Sequence, residues 1–223
     1  MKNILVLCAH PDDESLGLGG TLAIHNIQKD NVHVRVFTTG QFGRDESKKG
    51  IENRKTQCKK ACNILGVKSV EFLEYGDQKL ESISLTELTS HIESFMKKLN
   101  PDTIYTHFWG DMNQDHRRIY EATIIATRPQ KNSKLRELIC YETPSSTDNP
   151  IEMNIFNPNY FVDVKKVFNI KTKAIKQYKN EIPKSPHPRS IEAIQNRAKF
   201  WGSKLNLNYV ESFIKIREIQ FVY

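Results

Sequence analysis

The segment Ile4-Leu5-Val6-Leu7-Cys8-Ala9-His10-Pro11-Asp12-Asp13-Glu14 decides how we interpret this chain of 223 residues. Its first half is an uninterrupted apolar run, which is typical of a strand buried on both faces. One imidazole and three carboxylates follow directly, and Gly17-Leu18-Gly19-Gly20 then reads as a Gly-rich helix start. Open α/β sheets bind ligands at the carboxyl ends of their strands. The segment therefore predicts a site at the end of a first, buried strand.

The cluster of charges after this strand favours a metal site. Charged groups are costly to bury unless they are paired or bound to a metal. One imidazole with several carboxylates suits a divalent ion that activates water. The simpler interpretation is a helix N-cap with an acidic first turn, which a helix dipole also favours. A cap needs one such residue and not a cluster, so we favour the metal.

Strand-like and helix-like segments alternate along the first two thirds of the chain, which predicts an α/β fold with a parallel sheet and right-handed crossovers. Gly66 and Pro101 mark two helix ends. The Gly-rich turn lacks the full spacing of a dinucleotide fingerprint. The predicted strands span 4–8, 32–37, 70–73, 103–106 and 138–141, and the predicted helices span 19–29, 51–65, 85–99 and 117–127.

The pattern changes after Tyr141, and we interpret 1–223 as one domain with a C-terminal loop and helix elaboration. Residues 142–158 are rich in Pro, Ser, Asn and Thr, which predicts a loop over the carboxyl edge of the sheet. We then expect a strand at 161–164, a helix at 167–178, a Pro-punctuated loop at 182–190, a helix at 191–204 and a late strand or extended tail at 213–222.

Composition narrows the class of protein. Hydrophobic residues make up 38% of the chain, and no apolar stretch approaches the roughly 20 residues that span a bilayer. The N-terminal apolar run is too short for a signal peptide. The four cysteines complete no zinc motif, and we expect them to be reduced residues that pack the core. Because reduced cysteines are typical of the cytoplasm, we expect a cytoplasmic protein. The formal charge of +7 is scattered, and nucleic-acid binding is a hypothesis that rests on charge alone.

A third metal ligand is needed, because catalytic zinc takes three protein ligands and leaves one position for water. His116 follows the predicted fourth strand at the same sheet edge as His10 and Asp13, and its loop is long enough to reach them. Asp115 would orient a ligand or a catalytic group. His107 is a rival ligand, and a polar residue at a helix start is the simpler interpretation of His116.

Two residues of the loop at 182–190 are candidate substrate contacts. His187 lies between two prolines that restrict its backbone, and Arg189 follows closely. A rigid loop that carries both side chains would clamp a polar or anionic substrate. An ordinary surface loop explains the same residues equally well.

Two motifs at the ends of different strands resemble one family. Ala9-His10-Pro11-Asp12-Asp13-Glu14 and Asp115-His116-Arg117 are similar to the two signatures of the PIG-L/LmbE-like, zinc-dependent N-deacetylases. The resemblance extends over nearly the whole chain, and it includes Thr39-Gly40-Gln41-Phe42-Gly43, Arg54, Gly76-Asp77-Gln78-Lys79-Leu80 and Phe161-Val162-Asp163. It implies a Rossmann-like, mostly parallel sheet with helices on both faces.

The resemblance also implies roles for individual residues. His10, Asp13 and His116 would bind one Zn²⁺ or another divalent transition metal, and Asp12 would be the general base. Arg54 and Asp77 would lie near the substrate. Members of the family remove an acetyl group from amides of the N-acetylglucosamine type. We therefore expect a small N-acetylated sugar conjugate as the partner, and the basic surface favours one that carries an anionic group. We expect neither nucleic acid nor a membrane as a partner. A homo-oligomer is compatible with the sequence.

The chain departs from the family pattern at two positions. Many members carry a His three positions before the second-signature His, where this chain has Asn113. Either Asn113 polarises the carbonyl, or His187 supplies the acid. Gln41 replaces a Glu of the family, which would alter substrate contacts. The alternative to a deacetylase is an α/β module that binds a nucleotide or sugar nucleotide without hydrolysis.

Overall fold

The computed structural model describes residues 1–41, 43, 46–129, 133–151, 153–179 and 181–220. These residues form one seven-stranded sheet flanked by six helices. The strands are β1 (Asn3–Cys8), β2 (Asn31–Thr38), β3 (Ser69–Tyr75), β4 (Thr103–His107), β5 (Glu137–Tyr141), β6 (Tyr160–Asp163) and β7 (Val210–Glu218). The helices are α1 (Asp13–Ile27), α2 (Lys48–Leu65), α3 (Leu85–Leu99), α4 (Gln114–Ala126), α5 (Phe168–Ile175) and α6 (Ile191–Ser203).

The sheet is mostly parallel, which confirms the predicted fold class. Its strand order is β3-β2-β1-β4-β5-β7-β6. The first five strands pair in parallel, whereas β7 runs antiparallel to both β5 and β6. The chain leaves β1 towards β2 and β3, then returns to form β4 on the other side of β1. This reversal is the point at which open α/β sheets bind ligands.

Helices cover both faces of the sheet and enclose two apolar cores. On one face α1, α2 and α5 pack on the sheet around residues such as Cys8, Leu22, Cys58 and Tyr178. On the other face α3 and α4 enclose a core that includes Leu5, Leu7, Phe37, Leu88, Ile92 and Ile119. Burial on both faces explains why the central strands are continuous apolar runs in the sequence.

Helix α1 begins earlier than the sequence indicated. It starts at Asp13 and not at Gly19, so the acidic residues form its first turn. A kink follows at Leu18, whose φ is −139°. Lys171 Nζ donates to the Leu16 carbonyl at 2.9 Å, and Glu211 accepts from the Gly20 backbone at 2.8 Å, so a buried ion pair satisfies the backbone groups freed by the break.

The remaining C-terminal elements follow the predicted order with shifted bounds. Strand β7 starts three residues before the predicted position, and the predicted end at 222 lies outside the described residues, as does Phe42 of the loop after β2. The cysteines are free and buried. Among the described residues, no helix combines the length and apolarity required to cross a bilayer.

Candidate metal centre

The turn between β1 and α1 has an unusual backbone that brings its polar side chains together. Asp12 has a φ of 130°, a region that residues with a side chain rarely occupy. Its N–H donates to Glu14 Oε2 at 3.1 Å, while Glu14 Oε1 accepts from Ser15 at 2.6 Å and from Tyr178 at 2.5 Å. Burial raises the pKa of Glu14 to about 7. Glu14 therefore holds the turn in shape through these three hydrogen bonds.

His10, Asp13 and His116 converge at the switch point between β1 and β4. His10 Nδ1 lies 3.1 Å from His116 Nε2. The Asp13 oxygens complete the triangle, since Oδ2 is 3.5 Å from His10 Nδ1 and Oδ1 is 3.5 Å from His116 Nε2. Ligand atoms bound at about 2.0–2.1 Å to a tetrahedral zinc ion lie about 3.3 Å apart. The three side chains therefore fit a divalent ion of this size.

Two carboxylates occupy the other side of the His10 ring. Nε2 lies 3.0 Å from Asp77 Oδ1 and 3.3 Å from Asp115 Oδ2. Asp115 is itself fixed by the backbone N–H groups of Gln78 and Leu80, at 2.7 and 3.0 Å. Carboxylates in this position keep the proton on Nε2 and leave Nδ1 as the ligand atom.

His116 is oriented by a carboxylate that the sequence analysis did not single out. Its Nδ1 lies 3.1 Å from Asp111 Oδ2, so its Nε2 remains for the metal. Asp111 precedes His116 by five residues, in the loop that leads into α4, and this position was the only signal for it in the sequence. Burial would raise the pKa of Asp111, but the nearby His116 and hydrogen bonds lower it.

Electrostatics at the centre favour a cation. Burial opposes a charged His10, yet the carboxylates of Asp115, Asp13 and Asp77 raise the pKa of His10 well above its usual value. Burial would raise the pKa of Asp13 too, but the neighbouring imidazoles, led by His116, hold it well below its usual range. Buried carboxylates of this kind need a compensating positive charge.

His107, the rival ligand, lies beside this triangle and not in it. Its Nε2 accepts from the Ala9 backbone at 2.9 Å, and its ring stacks on His116 with the centroids 3.9 Å apart and the planes at 11°. Burial lowers the pKa of His107 to about 4, so the ring is neutral. His107 therefore packs against His116, one of the candidate ligands.

Asp12 lies next to the triangle and contacts two arginines. Arg54 Nη2 donates to Asp12 Oδ2 at 2.8 Å, and Arg54 Nη1 lies 3.2 Å from Glu181 Oε1. Arg189 Nη1 is 3.6 Å from the same Asp12 oxygen. No described residue bonds Asp12 Oδ1. The carboxylate is thus held through one oxygen and keeps the other available.

A polar cleft of about 360 Å³ opens over the centre. The sequence predicted all but two of its lining residues as site residues. The other two, Gly40 and Gln78, lie in segments that resemble the family, but the sequence assigned neither of them a role at the site. The lining residues are His10, Asp12, Gly40, Arg54, Asp77, Gln78, Asn113 and Arg189.

Two residues are candidates for the role of the histidine that many family members carry where this chain has Asn113. These candidates, Asn113 itself and His187, occupy different places. Asn113 lines the cleft, and its Oδ1 accepts the Asp115 N–H at 2.9 Å, so its amide nitrogen is the group left to donate. His187 is exposed, and its Nδ1 accepts the Arg189 N–H at 3.1 Å. His187 is not among the lining residues of the cleft. Gln41 is buried and donates to the Gly50 carbonyl at 3.2 Å.

A second group of ligand-type atoms, Glu14, Cys58 and Cys62, lies in the core between α1 and α2. Both Glu14 oxygens are already hydrogen-bonded. A hydrogen bond with Cys58, together with burial, raises the pKa of Cys62 well above its usual value, which keeps that group a neutral thiol. These side chains pack the core, as the sequence predicted for the cysteines.

Comparisons with known proteins converge on one family. The model of the PIG-L family, described as GlcNAc-PI de-N-acetylase, matches residues 5–127. The uncharacterized deacetylase YaiS of Escherichia coli is 31% identical over 187 residues, which cover 80% of this chain and 91% of YaiS. The diacetylchitobiose deacetylase of Thermococcus kodakarensis is 26% identical over 95% of this chain and 82% of its own.

A solved structure supports the fold over nearly the full chain. The N,N'-diacetylchitobiose deacetylase from Pyrococcus horikoshii superposes with a TM-score of 0.78. The match covers 97% of this chain and 84% of that one, at 24% sequence identity. The similarity therefore includes the C-terminal strands and helices that lie beyond the matched family model.

Proposed function

This chain belongs to the PIG-L family, and from that premise we propose that it is a metal-dependent hydrolase that removes the acetyl group from an N-acetylated amino sugar. The observation that carries the proposal is the triangle of His10 Nδ1, His116 Nε2 and Asp13 beside a carboxylate oxygen of Asp12 that no described residue bonds. The relatives named as deacetylases support the reaction class.

We propose that His10, Asp13 and His116 hold one Zn²⁺ per chain. A divalent ion bound there would acidify a coordinated water to a pKa of about 7 and polarise the amide carbonyl. Zinc is favoured by the mixed nitrogen and oxygen donors and by separations close to a tetrahedral edge. The carboxylates behind the two imidazoles keep the proton of each ring on the nitrogen that faces away from the ion.

Asp12 is the proposed general base. Arg54 holds its Oδ2, so Oδ1 is the oxygen that accepts a proton from the attacking water. The same carboxyl then returns this proton to the leaving amine. This assignment needs no second titrating group, and the described lining of the cleft contains no histidine except His10.

Asn113 is the proposed donor to the oxyanion that forms on the carbonyl. Its oxygen caps α4, so its amide N–H groups are the ones that can face substrate. One donor of this kind typically contributes about 2.7–4 kcal/mol to the activation barrier. An amide cannot carry a proton near neutral pH, which leaves proton transfer to Asp12. His187 is exposed in a single chain, and we assign it no step of the reaction.

The substrate is proposed to be a small, polar N-acetylglucosamine-type conjugate. Arg54, Asp77 and Gln78 offer hydrogen bonds suited to sugar hydroxyls, and Arg189 offers a cation to an anionic substituent. The free, buried cysteines are compatible with a reducing compartment, so we propose a cytoplasmic setting.

The direct test is release of free amine from a panel of N-acetylglucosamine conjugates by the zinc-loaded protein. The panel includes N-acetylglucosamine, N,N'-diacetylchitobiose and phosphate- or carboxylate-bearing conjugates. We expect amine and acetate in equal amounts, zinc dependence, and loss of both products in Asp12→Asn. Binding of a nucleotide or sugar nucleotide without release of acetate from any conjugate would favour the non-hydrolytic module instead.

A further inference from the structure

We propose that the turn at residues 143–148 is a positioning element of the metal centre, and that Thr147 acts through Asp111 to hold His116 in its ligating orientation. The inference rests on the proposed function, because it concerns a ligand of the proposed ion. Nothing in the sequence motifs assigns a role to this turn, which lies in the long loop between β5 and β6.

Asp111 is the residue through which the turn reaches the metal centre. Its carboxylate is fully buried. Its Oδ2 accepts from Thr147 Oγ1 at 2.7 Å and from Ser146 Oγ at 3.1 Å, and it lies 3.1 Å from His116 Nδ1. Its Oδ1 accepts the Asn113 N–H at 2.8 Å. A buried carboxylate takes its position from its donors, so these donors also set the contact to His116.

Thr147 is the stronger of the two hydroxyl donors. Its Oγ1 accepts the N–H of Thr143 at 2.8 Å, so its single proton is committed to Asp111. The Ser146 hydroxyl faces two acceptors, Asp111 Oδ2 at 3.1 Å and the Thr143 carbonyl at 3.3 Å, and cannot donate fully to both. Thr147 is itself 5% exposed, which excludes water as an easy replacement.

His116 depends on Asp111 for one of its two rotational restraints. The parallel stack on His107 fixes the plane of the ring, with 11° between the planes. Stacking leaves rotation within that plane free, and Asp111 Oδ2 is the described atom placed to limit it. A loss of the Thr147 donor would let Asp111 move and would let His116 Nε2 turn away from the ion.

The neighbouring Ser145 provides a matched control on the same turn. Its Oγ accepts from Arg189 Nε at 2.8 Å and makes no described contact with Asp111. Ser145 therefore positions an arginine of the cleft, whereas Thr147 positions a ligand of the metal. The two substitutions should separate metal affinity from substrate affinity.

The experiment compares full-length wild type with Thr147→Val, Thr147→Ser and Ser145→Ala. The zinc Kd of each metal-free protein is measured by competition with a chromophoric chelator, and the Co²⁺-substituted proteins are compared by visible absorption. Loss of a residue that orients a metal ligand typically lowers metal affinity by about 10–100-fold. We expect the loss of zinc affinity in Thr147→Val to lie near the lower end of this range. Its cobalt bands should shift, whereas Thr147→Ser and Ser145→Ala should match wild type in both readouts.

The outcomes distinguish this inference from the proposed function. A folded Thr147→Val with the zinc Kd and cobalt spectrum of wild type would overturn the role of Thr147, even if its melting temperature fell. Failure of wild type to bind zinc or cobalt would overturn the proposed function as well. Should Thr147→Val not fold, Thr147→Ala is judged by the same two measurements.

Discussion

Asp12→Asn tests the proposed chemistry most directly, because the structure fixes how the new side chain must lie. Arg54 Nη2 donates to Asp12 Oδ2 at 2.8 Å, so the amide oxygen of Asn takes that place and its NH₂ group replaces Oδ1. A proton acceptor thereby becomes a donor. Loss of general base catalysis typically costs about 10²–10⁴ in rate, or about 3–5 kcal/mol in activation free energy. We expect kcat to fall within that range.

The fold and the metal should survive this substitution. Arg54 keeps Glu181 at 3.2 Å as a counter-ion, so no buried charge is left unpaired. Zinc content and the unfolding midpoint are measured beside amine release, with Asp163→Asn on the exposed end of β6 as the control for the same chemical change. A zinc-loaded Asp12→Asn that turns over at nearly the wild-type rate would refute the assignment of the base.

Four further substitutions test the ligands, the cleft and the fold. His116→Ala should leave a folded protein with far less than one zinc ion per chain by elemental analysis; full occupancy would contradict its role as ligand. Arg189→Ala should raise KM more for anionic than for neutral conjugates, and equal changes would argue against an anion contact. Lys171→Met should lower the free energy of unfolding in urea by about 3–5 kcal/mol, because it leaves the carboxylate of Glu211 buried without its counter-ion. The control Lys173→Met, on the exposed side of α5, should leave the free energy of unfolding unchanged. The raised pKa of Glu14, about 7, means that ionisation of this buried carboxyl costs the metal-free fold about 3 kcal/mol as pH rises from 4 to 8; Glu14→Gln removes this contribution, so its free energy of unfolding should fall by about 3 kcal/mol less than that of wild type over the same range, and an equal fall would contradict the assignment.

Sequence reasoning reached the fold because the central strands are buried on both faces. Such strands are apolar throughout, and the alternation with helices then predicts parallel pairing. The start of α1 was missed for a physical reason. Asp13 and Glu14 are buried charged residues in a first helical turn, and a pattern based on apolar spacing does not extend a helix over them. Their burial is tolerated because the imidazoles neighbour Asp13 and because Glu14 is hydrogen-bonded to Ser15, Tyr178 and the backbone.

The three proposed metal ligands could be grouped from the sequence because topology alone brings them together. His10 and His116 each follow a strand, and β1 and β4 are parallel neighbours whose carboxyl ends share one edge. The carboxylates behind the ligands were harder to assign. Asp115 adjoins His116 in sequence, yet successive residues of a helix project about 100° apart, and its side chain contacts His10 instead. The sequence could not say which carboxylate would reach which nitrogen.

The pairing of rings with carboxylates explains why the centre should bind a cation rather than form an internal ion-pair network. Each imidazole places one nitrogen close to a carboxylate: His10 faces Asp77 and Asp115, and His116 faces Asp111. The two remaining nitrogens lie 3.1 Å apart and face each other. Two unprotonated nitrogens at that distance repel, and one shared proton would leave the nearby Asp13 without a full partner. A divalent ion would satisfy all three groups at once, so the arrangement favours positive charge at its centre.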